Sequence, residues 1–111
     1  MNETENARIS GVRLGFDRDI FLSFWVTVEG KGWGQSIGGY VLAKKGEPEG
    51  FAKGFVAIAN LLNVVGVESW EELRGQLIRV KDVGGPGSST PPIIGHIMDD
   101  KWWDIRTELA K

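Results

Sequence analysis

The 111-residue sequence contains no cysteine. That excludes a disulfide framework, a thiolate nucleophile and a Cys-ligated zinc or iron–sulfur centre, and leaves the redox compartment open. A single histidine, His96, excludes a two-His or Cys/His metal site within one chain. No window approaches the roughly eighteen apolar residues that a membrane span needs, and the polar start Met1–Ala7 has no signal-peptide run. Neither sign of charge is in excess: 13 Lys and Arg against 15 Asp and Glu give a net charge of -2. This balance supplies neither the basic footprint of a nucleic-acid binder nor the acidity of a nucleic-acid mimic. The expectation is a soluble, cytoplasmic protein with no membrane partner and no direct contact with nucleic acid. A chain this short buries one core, so a single domain over residues 9–111 should follow a flexible N-terminus over residues 1–8.

What the sequence has instead is 16 glycines and 5 tryptophans. Several glycines punctuate a readable pattern. From Ile9, Val12, Leu14 and Phe16 alternate with Arg13 and Gly15 as a first strand. After the polar turn Asp17-Arg18-Asp19, Ile20, Leu22, Phe24, Val26 and Val28 share one face of a long second strand, with Phe21 and Trp25 on the other. Gly30-Lys31-Gly32 is a hairpin turn, and Trp33 to Leu42 returns as a third strand. Phe51, Phe55, Ile58, Leu62 and Val65 recur at spacings of three and four, the mark of an amphipathic helix, with Gly66 as its left-handed cap. Ser69-Trp70-Glu71-Glu72 fits a capping box opening one helical turn, which Gly75 stops. Leu77 to Val83 is a fourth strand, with Ile78 and Val80 on one face and Leu77, Arg79 and Lys81 on the other. After the Gly84–Pro92 loop, Ile93 to Met98 makes a fifth. Asp99 to Lys111 reads as a last helix with a stripe of Trp102, Ile105, Arg106 and Leu109. The fold class is therefore α+β: an antiparallel sheet of about five strands, a three-stranded meander plus a C-terminal hairpin, covered by one amphipathic helix.

Sites of known chemistry fit poorly. Gly34, Gly38 and Gly39 lack the phosphate-loop spacing and its Lys-Ser/Thr ending, and Tyr40-Val41-Leu42 follows where a helix should start. Glycine within a strand weakens it, so these positions need a reason. Either the chain passes under a ring such as Trp25, Trp33 or Trp70, or exposed backbone beside Trp33, Gln35, Gly38, Gly39 and Tyr40 cradles a ligand. Asp99, Asp100 and Asp104 could in principle hold a hard cation, but they match no EF-hand loop. No metal site and no cofactor are expected. His96 reads as an ordinary hydrogen-bonding residue beside the sheet, or with Asp99 as part of a contact surface. No nucleophile elbow is present and nothing selects a carboxylate pair, which places binding above catalysis. Trp102 and Trp103 are successive and cannot both face one core. Either one ring is a contact hot spot, or one closes the core and the other lies flat on the surface.

Three blocks carry a resemblance: Gly34-Gln35-Ser36-Ile37-Gly38-Gly39-Tyr40, Val64 through Trp70 to Gly75, and Ile94-Gly95-His96 through Trp102. Together they resemble a family of small bacteriophage- and prophage-encoded proteins, over most of Val12 to Trp103. The resemblance implies a phage source and one compact domain, and it names no reaction. The Gly- and Pro-rich Val83–Pro92 loop departs from the pattern. By analogy with small phage proteins lacking catalytic motifs, the expected function is non-catalytic binding of a host protein. An inhibitor of an antiphage defence system, such as an anti-CRISPR protein, is the concrete form. A binder that sequesters a nucleotide signal is the alternative, and a metal-assisted hydrolase on His96, Asp99 and Asp100 a third.

Overall fold

The computed structural model describes residues 4–17, 21–38, 43–44, 51–81 and 91–110. In chain order its elements are β1 (Thr4–Asp17), β2 (Phe21–Gly30), β3 (Trp33–Gly38), β4 (Ala43–Lys44), α1 (Phe51–Val65), a 3-10 turn (Glu71–Leu73), β5 (Leu77–Lys81), β6 (Ile93–Gly95), β7 (Trp102–Trp103) and α2 (Ile105–Ala110). The strands form one antiparallel sheet in the order β3-β2-β1-β5-β6-β7, and β4 pairs with β2 beyond the end of β3. The architecture is α+β, as its alternating patterns imply. The C-terminal strands join the meander because β5 pairs with the free edge of β1.

β1 is longer than its apolar alternation suggests. Thr4 to Arg8, expected as a flexible N-terminus, pairs residue by residue with Lys81 to Leu77, and Ala7 is buried. Ala7 and Ile9 face the core together with Val12, and Leu14 and Phe16 continue on the side of Val12 although both are exposed, yet the step from Ile9 to Val12 is odd. A β-bulge resolves the conflict: Ile9 opposes Val28, Gly11 opposes Thr27, and Ser10 is the extra residue.

The core lies between the sheet and α1. Phe24, Val26, Val28, Ile37, Ile78, Val80, Ile94 and Trp103 supply the sheet side, and Leu61, Val64 and Leu73 pack among them. The buried stripe of α1 differs from the predicted one. Gly54, Ala57, Leu61 and Val64 face inward beside the predicted Val65, which is buried; the predicted Ile58 and Leu62 flank them half-buried, and the predicted Phe55 is 59% exposed. The reason is steric: the Trp103 indole donates to the Ala57 carbonyl at 2.9 Å, and small residues let the helix come that close. α1 ends as predicted, with Gly66 at φ 91° and the amides of Gly66 and Val67 both bonded to the Leu62 carbonyl.

Two local expectations are corrected. The capping box does not form: the Ser69 hydroxyl donates to the Glu72 carboxylate at 2.8 Å, and the turn after Trp70 is 3-10 with no side-chain cap. The predicted tail helix starts later. Trp102 and Trp103 form β7 against β6, and the Asp104 carboxylate accepts the Arg106 amide at 3.0 Å to open α2 at Ile105. The Asn60 amide donates to Glu108 at 2.8 Å and ties α2 to α1.

Candidate functional site

Side chains alternate across each strand, so the face opposite α1 collects the residues between the core positions. One cross-strand row runs from Asn6 through Arg79 and Gly95 to Trp102. A neighbouring row places Leu77 and Glu29 on either side of Arg8. Among the described residues no helix packs on this face. Asn6, Arg8 and Glu29 are exposed, Leu77 is 58% exposed, and Arg79, Lys81 and Trp102 are half-buried.

Trp102 sets the geometry at one end. Its ring lies against Gly95, where any Cβ would collide with it, which is why a bare backbone stands at that position. The indole N–H donates to Asp100 Oδ1 at 2.7 Å. The Lys81 ammonium sits 4.1 Å and the Arg79 guanidinium 4.9 Å from the ring centroid, two cation–π contacts on one side chain. Arg79 also donates to the carbonyls of His96 (2.8 Å) and Asp99 (2.9 Å), fastening the turn between β6 and β7 to β5. That turn presents Met98 at 81% exposure. At the other end of the face, Asn6, Arg8, Glu29, Lys31 and Leu77 border an open depression of about 280 Å³.

The predicted site residues do not form one cluster. Trp102 belongs to this face. His96 and Asp99 lie in the adjoining turn, but the His96 ring is committed to structure: Nδ1 accepts the amides of Met98 (3.1 Å) and Asp99 (2.8 Å), so the neutral ring carries its proton on Nε2. Trp103 is corrected from a contact candidate to a core residue, fully buried against α1. The alternative reading of the pair, one ring in the core and one flat on the surface, is what the structure shows.

Trp33 lies across Gly30 on the helix side and donates to Glu5 Oε1 at 2.6 Å, closing the end of the sheet. Gln35 is half-buried on the same face of β3 as the core residue Ile37. Gly38, at φ 134°, brings its backbone onto the Phe24 carbonyl with no room for a Cβ, so its reason is close packing. Gly39 and Tyr40 lie outside the described residues. Neither Gly34 nor Gly38 passes under a tryptophan ring as expected; the glycines that do are Gly30, under Trp33, and Gly95, under Trp102, while Trp70 packs edge-on against Phe24, 5.8 Å between centroids.

Among the described residues no group of three His, Asp or Glu side chains could hold a metal ion. Asp100 is engaged by Trp102, and Asp99 is 66% exposed. No helix among the described residues is long and apolar enough to cross a membrane. Arg8, Leu77, Arg79, Lys81 and Met98 were not singled out from the sequence. The outward set Leu77, Arg79 and Lys81 is legible as alternation, but its link to Trp102 depends on β7, where the sequence pattern predicts helix. No protein-family model, curated protein or solved structure matches the chain.

Proposed function

We propose that the protein is a non-catalytic binding protein of phage origin that inhibits a bacterial antiphage defence system, with an anti-CRISPR protein as its concrete form. The observation that carries the binding half of this reading is the helix-free face. It leaves Leu77 and Met98 exposed beside a half-exposed tryptophan and a set of cations, the composition of a contact surface. The phage half rests on the three sequence blocks and on analogy. The test is capture from a bacterial host lysate on the immobilised protein, followed by assay of the captured effector. The reading predicts a stable host partner whose activity falls when the protein is added, and absence of any partner contradicts it.

The depression beside Arg8 and Lys31 favours a second reading, a binder of a nucleotide signal. A ligand at a hundred times its Kd adds about 2.7 kcal/mol of stability. A thermal-shift panel of nucleotides therefore separates the two, and a flat response removes the second.

A further inference from the structure

The chain as a whole is slightly acidic, with a net charge of -2, but the helix-free face is not. Arg8, Lys31, Arg79 and Lys81 lie on it or at its rim. The carboxylates there are Glu29, directly opposite Arg8, and Asp99 and Asp100 in the β6–β7 turn, of which Asp100 is held by the Trp102 indole. Neither Arg8 nor Lys31 makes an ion pair among the described residues. Lys81 spends its charge on the Trp102 ring, a partner that a carboxylate can share. Between the cations stands Leu77, an aliphatic side chain more than half exposed at the mouth of the depression.

Two kinds of anionic partner could meet such a face, and the details favour one. A single-stranded nucleic acid needs bare aromatic platforms on which bases stack. Here the Trp102 ring is pressed on Gly95 and carries two cations. An acidic protein surface needs cations at the rim and apolar anchors between them, the arrangement that Leu77, Met98 and the surrounding Arg and Lys provide.

We propose that the helix-free face docks on an acidic surface of a host protein, with Leu77 as the apolar anchor and Arg8, Lys31 and Lys81 facing carboxylates. The inference rests on the binding reading above and adds the face and the chemistry of its partner. Opposite charges steer encounter, so association should be fast at low salt and slow steeply as salt screens it.

The probe is the host protein captured by the wild-type chain from nuclease-treated lysate, measured by surface plasmon resonance. Arg8→Glu and Lys81→Glu each exchange a cation on the face. Arg74→Glu makes the same single charge exchange at an exposed position after the 3-10 turn, and circular dichroism checks that the three single variants and R8E/K81E all fold. The expected result is association slowed severalfold by R8E and by K81E singly and roughly ten- to hundredfold by the double variant R8E/K81E, and left near the wild-type rate by the charge-matched single variant R74E. Equal slowing by R74E, or no slowing by R8E/K81E, overturns the proposal and leaves the binding reading standing. Loss of capture on nuclease treatment, or displacement of the partner by oligothymidylate, overturns it in favour of nucleic acid. Absence of any captured partner overturns both.

Discussion

Replacing Gly95 by alanine tests the arrangement on which the helix-free face is built. A Cβ at Gly95 would overlap the six-membered ring of Trp102, and the backbone there is not left-handed, so ring displacement is the main consequence. Lifting the ring gives up two cation–π contacts, about 0.5–1 kcal/mol each at a partly exposed site. It also gives up the bond to Asp100, worth about 1 kcal/mol. Alanine recovers some of this, because glycine within a strand costs about 0.5–1 kcal/mol relative to it. The net loss is about 2 kcal/mol, or a fall in Tm of roughly 8 °C at about 4 °C per kcal/mol for a domain near this size. The decisive assay is a double-mutant cycle by urea unfolding. In a Trp102→Ala background the same Gly95→Ala change meets no ring and should be neutral or slightly stabilising, giving a coupling of about 2–3 kcal/mol. An equal cost in both backgrounds, or none in the wild type, would refute the packing of Trp102 on Gly95.

Trp103→Phe should cost about 2 kcal/mol in urea unfolding, through lost buried volume and loss of the bond to the Ala57 carbonyl, whereas Trp103→Ala should cost about 3–5 kcal/mol. Glu5→Ala removes the acceptor of the Trp33 indole. It should destabilise by about 1 kcal/mol and speed hydrogen exchange in the Thr4–Arg8 segment more than elsewhere in β1, and uniform exchange across β1 would count against an ordered N-terminal strand. Gly38→Ala combines a positive φ with a collision against the Phe24 carbonyl and should cost at least about 1–3 kcal/mol; a neutral result in thermal unfolding would contradict the close packing of β3 on β2.

The meander, the helix and its Gly66 cap were legible because each depends on neighbours in sequence: period-2 alternation, 3–4 spacing, a glycine where the chain must turn left-handed. What the sequence concealed depends on distant partners. Residues 4–8 look polar and frayed, and become a strand only because β5 offers an edge. The outward position of Phe55 follows from the ring of Trp103, 48 residues away in sequence, which selects the small-residue side of α1. Trp102 and Trp103 have helix-compatible spacing with Ile105 and Leu109, and only β6 pulls them into a strand whose alternation sends one ring to each face. Of the candidate site, the ambiguity of that tryptophan pair was legible, and so was the outward set on strand four. Their convergence on one face was not, since it arises from register between β5, β6 and β7.

The claim that the helix-free face is the working surface is tested most directly by placing a charge on each side of the molecule. Leu77→Glu alters that face and Val56→Glu alters the outward side of α1; both positions are more than half exposed, so neither substitution disturbs the core. In capture of the host partner by the immobilised protein, L77E is expected to lose the partner and V56E to retain it. Retention by L77E with loss by V56E would contradict the account and move the contact surface to the helix.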